Sequence, residues 1–336
     1  MALSLGIEPP FLLTPRRWRL KTSGIELAEP RSAAKVARPR RRLTPTARSD
    51  LMWGYLMIAP LLIGLLIFYI WPVFQTLYFS FTEWGAFGKY HWTGLKNYEA
   101  MLHDPDLWMA LRNTLIYTVL SVPISIALSI LVAVLLNQKI RGVAFYRTLY
   151  FLPNITMPAA IALVWRWLYN ADYGLINYLL SLVSIKGPRW ISDPTIALYS
   201  LILLAIWGSV GYNMVIFLSG LQGIPSTYYE AASIDGAGPL AKFFRITIPL
   251  LSPTIFFATI ISLIGAFQVF DAIFLMIGPN SPAIDRTQSV VYLFFKNAFL
   301  IDNKGYAAAI AMMLFVIILI VTIIQFRMQR RWVHYG

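Results

Sequence analysis

Side chains able to act as nucleophiles, general acids or metal ligands are few in this sequence. Its 336 residues include no cysteine and three histidines, which excludes disulfides, zinc–thiolate sites and a cysteine nucleophile. His91 and His103 are twelve residues apart, and neither they nor His334 belongs to a ligand pattern. The patterns GxxxxGK(S/T), GxSxG and HExxH are all absent. We therefore predict no catalytic residue and no metal site, and we do not expect the chain to be an enzyme.

The loop at residues 222–249 has the residues most suited to contact another protein. Its segment STYYEAASI predicts a helix, with Ser226 as the N-cap and Glu230 in the first turns. Glycines at 236 and 238 should end this helix, and Pro239 suits the first position of a second one. Apolar residues then recur close to helical spacing, at Leu240, Phe243, Phe244 and Ile246. Two such helices would fill a groove on a partner or lie on the inner leaflet, and the spacing favours neither.

Six long apolar segments must position these side chains. Each has about 20 or more mostly apolar residues, enough for a helix to cross a hydrocarbon layer about 30 Å thick. The segments are continuous and do not alternate, which favours helices over a β-barrel. The predicted spans are Leu51–Phe74, Leu111–Asn137, Leu149–Asn170, Ile196–Leu221, Leu250–Ile277 and Ala307–Phe326. The predicted fold class is therefore an all-α membrane protein with six transmembrane helices.

Charge is distributed unevenly along the chain, whose formal net charge is +13. Residues 1–50 contain eleven Lys/Arg, four acids, six prolines and no long apolar run. They are predicted to form a basic, disordered cytoplasmic arm, separate from a membrane domain at 51–336. Nineteen of the 28 Lys/Arg lie in this arm, in 138–148, in the 222–249 loop or after Phe326. The positive-inside rule places both termini and the loop in the cytoplasm, where the arm could contact anionic lipid.

Ionisable side chains are nearly absent from the predicted spans, and 13% of the whole chain is charged, against about 25% in soluble domains. Asp271 is the one acid within a span. Ion-coupled carriers and pumps usually place acids, His or Lys inside the bilayer, because these groups bind protons and ions. Any transport by this chain would therefore take its energy from a partner.

The 222–249 loop contains a long, gapped motif: Glu-Ala-Ala, three residues, Gly, nine residues and Ile-x-Ile-Pro. It resembles the EAA motif of permease subunits of binding-protein-dependent ABC importers, with Ile248 where the family has leucine. Other stretches resemble the first permease subunit of maltose-, lactose- or glycerol-3-phosphate-type sugar systems: GLKNY (94–98), LRNTLIYT (111–118), FLPN (151–154), VWRWLYNADYGLINYLL (164–180) and QVFDAIFLM (268–276). The resemblance covers roughly residues 50–330. The outer turn MIGPNSPAIDRT (276–287) departs from the family's Gly-Gly-Pro.

This resemblance implies a type I ABC importer permease fold in a bacterial or archaeal inner membrane. It also implies a second, similar permease and two cytoplasmic ABC ATPase subunits that hold ATP and Mg²⁺. An extracytoplasmic solute-binding protein would dock outside, and neither a cofactor on this chain nor nucleic acid is expected. By the same resemblance, Glu230 would pair with a basic group of the ATPase and Gly236 would permit a sharp turn. The residues expected to couple to the ATPase are Glu230, Ala231, Ala232, Gly236, Ile246 and Pro249.

Polar residues of the later spans are the candidates for lining a translocation path. Ser209, Tyr212 and Asn213 are spaced at i, i+3 and i+4 and share one helix face. Ser262 and Gln268, in the next span, are expected to face them. Hydroxyl and amide groups beside an aromatic ring suit a sugar; the alternative is hydrogen bonding between helices, worth about 0.6–2 kcal/mol each. The alternative function is a self-contained secondary carrier or channel for small polar solutes, which inverted repeats or buried ionisable groups would favour.

Overall fold

The structure is a computed structural model, and it describes residues 45–84, 88–138 and 141–333. The chain divides into two compact units, residues 1–61 and residues 62–336. In the first unit, the described residues 45–61 are helical. The helix begins at Pro45, so the last six residues of the predicted arm are helical, and the rest of the arm lies outside the described residues.

Helices form most of the described part of the chain. The long helices are α1 (Pro45–Leu65), α4 (Pro105–Leu136), α8 (Ala197–Gln222), α11 (Ile248–Phe267) and α14 (Lys304–Trp332). The shorter ones are α2 (Trp71–Phe79), α3 (Lys96–His103), α5 (Val143–Ile155), α6 (Pro158–Leu168), α7 (Leu175–Leu182), α9 (Ser226–Ile234), α10 (Pro239–Lys242), α12 (Ile284–Thr287) and α13 (Val290–Phe295). Single π-helical turns occur at Leu66–Ile70, Phe243–Thr247, Ile273–Ile277 and Lys296–Leu300.

Among the described residues, five helical stretches are long and apolar enough to cross a membrane: Arg48–Phe79, Pro105–Leu136, Ala197–Gln222, Pro239–Phe267 and Lys304–Arg330. The sixth candidate is the pair α5 and α6, bent by 99°. The third predicted span, Leu149–Asn170, is therefore not one continuous helix. Thr156 and Met157 are extended between the two helices, because Pro158 disfavours the helical conformation in the residue before it and lacks an N–H donor.

Helix α8 packs against α4, α5 and α11. The buried side chains that α8 and α11 share with α4 include Met214, Phe217 and Leu251, each fully enclosed. Lipid tails are as apolar as these side chains, so close van der Waals packing, more than removal from water, stabilises the contact. Any side chain that separates α8 from its neighbours should therefore be costly.

A two-stranded antiparallel hairpin, absent from the all-α prediction, lies between α2 and α3. Its strands are β1 (Thr82–Trp84) and β2 (Tyr90–Trp92). The Lys96 ammonium donates to a Glu83 carboxylate oxygen at 2.6 Å, and this contact lowers the pKa of Glu83. Asn97, buried at the start of α3, donates to the carbonyls of Ser80 and Thr82 at 2.9 Å each. The hairpin is thus fastened to α3 at two points.

Candidate functional site

The 222–249 loop folds as the two short helices that the sequence predicts. Helix α9 covers the STYYEAASI segment, and α10 begins at Pro239. The prediction that Ser226 is the N-cap is wrong: Pro225 holds the cap position, and no side chain caps the helix. Pro225 has a ψ angle of 134°, in the extended range. As a proline it has no backbone N–H that would need a hydrogen-bond partner at the start of the helix. After α10 the chain passes through a π-helical turn directly into α11.

A glycine in the left-handed conformation ends α9. Gly236 has φ of +75°, and its N–H donates to the carbonyl of Ser233 at 3.2 Å. The N–H of Ala237 donates to the carbonyl of Ala232 at 2.8 Å. This pairing is a Schellman motif, which satisfies the last carbonyls of a helix. An added Cβ at Gly236 would meet nothing within 4 Å, so the backbone conformation alone favours glycine.

Two side-chain contacts hold the short helices together. The Lys242 ammonium donates to the Ser233 hydroxyl at 2.7 Å. The hydroxyls of Tyr229 and Thr247 lie 3.0 Å apart in a hydrogen bond. The first contact joins α9 to α10, and the second joins α9 to the π-helical turn before α11. The loop is therefore one braced unit continuous with a membrane-spanning helix.

Large apolar side chains on this unit are exposed. Ile234 is 87% exposed, Leu240 74% and Phe244 64%. Glu230 is exposed and has no ion-pair partner among the described residues. The other motif residues are exposed or half-buried: Ala231, Ala232, Gly236, Ile246 and Pro249. An apolar patch with a free carboxylate beside it is typical of a surface that another protein covers.

Four of the five residues predicted to line a path surround one cavity of about 290 Å³, which we call the polar cavity. They are Ser209, Tyr212, Asn213 and Ser262. The Asn213 amide donates to the Ser262 hydroxyl at 3.3 Å, and the Ser209 hydroxyl donates to the carbonyl of Ile206 at 3.1 Å. These two contacts fit the alternative of structural hydrogen bonding. The Tyr212 hydroxyl has no hydrogen-bond partner among the described residues, and Tyr212 is exposed and lines the cavity.

Gln268 does not join this set. Helix α11 ends at Phe267, and Gln268 leaves the helical conformation with φ of −98° and ψ of 14°. Its side chain lines a separate, mainly apolar hollow beside Val290 and Phe294. The prediction assumed that the helix continued to Ile277, and the break changes the direction of every later side chain.

Further polar residues line the polar cavity that the sequence reasoning missed. Tyr117, Ser121 and Ser125 approach it from α4, and Asn154 approaches it from α5. The four-residue spacing in α4 is a signal that could have identified the first three. Asn154 gave no such signal, because it lies in a segment predicted as part of a continuous third span.

Two larger hollows of the described part are unsuited to polar solutes. One of about 740 Å³ lies beside Trp165 and Trp207, and one of about 700 Å³ lies beside Leu102 and Met313. Nearly all of their lining side chains are apolar, as expected for surfaces that lipid or another helix covers. No three His, Asp or Glu side chains of the described ranges lie close enough to hold a metal ion.

Comparison with known proteins agrees with this architecture. Residues 108–334 match the family described as the inner membrane component of binding-protein-dependent transport systems. The chain is 39% identical over 291 residues to the probable ABC transporter permease protein YesP of Bacillus subtilis, covering 86% of this chain and 94% of YesP. It is 36% identical over 286 residues to the sn-glycerol-3-phosphate transport system permease protein UgpA of Agrobacterium fabrum, covering 84% and 96%.

A solved structure shows the same fold. A chain of a bacterial alginate ABC transporter, in complex with alginate pentasaccharide-bound periplasmic protein, superposes with a TM-score of 0.77 at 22% identity. The match covers 87% of this chain and 98% of that chain. The ABC permease resemblance and the type I importer fold predicted from the EAA motif are thereby confirmed. The chain belongs to the family of inner membrane permease components of binding-protein-dependent ABC transport systems.

Proposed function

We propose that this chain is one of two permease subunits that together conduct a carbohydrate or related solute into the cell. In this proposal, two cytoplasmic ABC ATPase subunits bind ATP and Mg²⁺ and supply the energy. An extracytoplasmic solute-binding protein delivers the solute to the outer side. Both termini and the 222–249 loop face the cytoplasm. The naming of a relative after sn-glycerol-3-phosphate transport supports a small solute that carries hydroxyl groups.

The braced 222–249 loop is the observation that carries the proposal. When the ATPase dimer closes on ATP, a flexible loop would absorb the displacement, whereas a braced pair of helices transmits it. The Schellman turn at Gly236, the hydrogen bond between the hydroxyls of Tyr229 and Thr247, and the exposed 2.7 Å contact between Lys242 and Ser233 together provide that stiffness. The loop continues into α11, and α11 contributes Ser262 to the polar cavity. Movement of the loop would therefore reach the cavity through one helix.

Docking on the ATPase would cover the exposed side chains of Ile234, Leu240 and Phe244. Burying a large apolar side chain stabilises a contact by roughly 1.5–3 kcal/mol. Glu230 would pair with a basic ATPase side chain at the edge of the patch. The polar cavity would form this chain's half of the solute path, with hydroxyl and amide groups for sugar hydroxyls and Tyr212 for an apolar ring face.

Reconstitution in proteoliposomes tests the proposal. The complete assembly contains this chain, its partner permease, the ATPase and the solute-binding protein, and ATP-dependent uptake is measured with the labelled solute that the binding protein retains. Gly236→Val should reduce uptake at least tenfold with normal insertion, because a β-branched residue resists φ of +75°. Gly238→Val is the matched control, since Gly238 has φ of −71° and equally free space. Normal uptake by Gly236→Val would contradict the coupling role.

The alternative of a self-contained carrier gives a different result in the same system. Solute accumulation by this polypeptide alone, without ATP or the other subunits, would overturn the proposal. Co-purification of the partner permease and the ATPase with the tagged chain, with the ATPase alone lost on deletion of residues 226–247, would support it.

A further inference from the structure

A second cavity of about 320 Å³ adjoins the polar cavity. It lies between the end of α5, helix α6, helix α8 and the break after α11. On α8 the second cavity contacts Leu204 and Gly208. The polar cavity contacts Ala205, Ser209, Tyr212 and Asn213, so it overlaps the second cavity along α8 and extends further toward the 222–249 loop. Asn154 lines both cavities. A solute that moves along α8 toward the loop would therefore pass this side chain.

Close packing of two helices places Asn154 at this junction. An ideal Cβ added to Gly211 of α8 would lie 1.9 Å from the carbonyl oxygen of Tyr150 in α5, and 3.0 Å from the Asn154 amide nitrogen. No larger residue fits between these backbones. Gly211 thus acts as a positioning residue for Asn154.

The Asn154 amide makes no hydrogen bond within the described part of the chain. Asn154 is exposed, so water or a solute in the cavities can satisfy its amide, which is costly to leave without a partner in a membrane protein. Its two donors and one acceptor match the hydroxyl groups of a polyol. The free amide therefore suits a passing solute better than a structural role.

In the part of the chain that the structure describes, the charged side chains that line these two cavities are acidic only. Asp271 lines the second cavity and is exposed, and it makes no ion pair within the described residues. No Lys, Arg or His of the described ranges lines either cavity. A carboxylate at the wall of a narrow path repels anions and tolerates neutral solutes.

We propose that Asn154 and Asp271 form a selectivity step that admits a neutral polyhydroxylated solute and disfavours an anionic one. The amide exchanges hydrogen bonds with solute hydroxyls as the solute passes between the cavities, and the carboxylate repels phosphate and carboxylate groups. The inference rests on the proposed function, because it assumes that the two cavities belong to the solute path.

Thiol labelling tests the step without knowledge of the solute. The chain has no cysteine, so Asn154→Cys introduces its one thiol. An assembly that contains the unmodified chain measures the labelling of the other subunits as background. The reagents are the anionic sulfonatoethyl and the cationic trimethylammonioethyl methanethiosulfonates, with rates normalised to a free thiol in solution. The cationic reagent should react about fivefold or more faster than the anionic one. Adding Asp271→Asn should abolish that preference.

Asp172→Asn is the matched control, because Asp172 is an exposed acid that lines neither cavity; it should leave the preference intact. Thr156→Cys is a second reporter in the second cavity, used if Asn154→Cys does not assemble. Equal rates for both reagents, or a preference unchanged by Asp271→Asn, would overturn the role of Asp271. A thiol that neither reagent reaches at either position would overturn the path itself.

An uptake measurement separates this inference from the proposed function. With the labelled solute that the binding protein retains, Asn154→Ala should reduce uptake about tenfold, and Asn154→Gln should retain more of it. If the unmodified assembly shows no ATP-dependent uptake, the proposed function fails. If that assembly transports and Asn154→Ala transports equally well, the selectivity step alone is wrong.

Discussion

The 222–249 loop and the polar cavity are built in opposite ways. The loop is a contiguous segment whose apolar side chains face outward, and its stiffness comes from contacts between near neighbours in sequence. The cavity gathers side chains from α4, α5, α8 and α11, and its shape depends on how closely these helices approach. A local unit should tolerate changes in distant helices, whereas the cavity should respond to any change in helix packing.

The largest expected effect follows from the tightest helix contact. Gly211→Ala would place a methyl group 1.9 Å from the Tyr150 carbonyl oxygen, and backbone cannot yield as a flexible side chain does. Overpacking of this kind typically costs about 1–3 kcal/mol and sometimes more. We expect a fall of several degrees in the thermal midpoint of the detergent-purified permease, together with loss of uptake.

Gly208→Ala is the control for this change. Gly208 lies one turn earlier in the same helix, and nothing stands within 4 Å of an added Cβ there. Alanine also forms helices better than glycine does, so the thermal midpoint of the Gly208→Ala variant should be unchanged or higher. Equal midpoints for the two variants would show that α5 and α8 pack less closely than the structure indicates.

The contrast between local and non-local construction also explains what the sequence could predict. The extent of α9, the start of α10 and the turn at Gly236 are encoded within about two dozen residues, and all three were predicted. Four of the predicted cavity residues meet because they share a face of α8 or lie opposite it in α11. Gln268 does not line the polar cavity, because α11 ends one residue before it. Asn154 depends on the bend at Pro158, a local signal that the prediction of a continuous span did not follow, and on the packing that Gly211 allows, which has no local pattern.

Charged substitutions on the exposed apolar patch of the 222–249 loop should give the next largest effect. This effect should be confined to the function of the loop. Ile234→Glu or Leu240→Glu should reduce ATPase binding at least tenfold, since burying a carboxylate in an apolar contact is unfavourable. The side chains are 87% and 74% exposed, so the thermal midpoint of the permease alone should not change. Thr227→Glu, an exposed position in α9, serves as the control. Pull-down of the ATPase at equal permease levels makes the measurement, and unchanged binding by both patch variants would show that the ATPase docks elsewhere.

Within the cavity, the hydrogen bond between Asn213 and Ser262 should give a smaller effect. A double-mutant cycle of Asn213→Ala and Ser262→Ala measures its coupling energy. Such bonds between membrane helices average about 0.6 kcal/mol, with a maximum of about 1.7 kcal/mol. If these residues serve only to join α8 to α11, each variant should lower the thermal midpoint and leave the KM for uptake unchanged. A raised KM with an unchanged midpoint would assign them to the solute instead.

The smallest effect should come from the contact between Lys242 and Ser233, which is exposed to solvent. Lys242→Met keeps the length and apolar stem of the side chain and removes the donor. An exposed polar contact contributes about 1 kcal/mol or less, so uptake should fall less than about threefold and ATPase binding should persist. Ser233→Ala should match it, and the double variant should add nothing, because both changes remove the same bond. A larger loss with Lys242→Met than with Ser233→Ala would instead indicate that the ammonium contacts the ATPase directly.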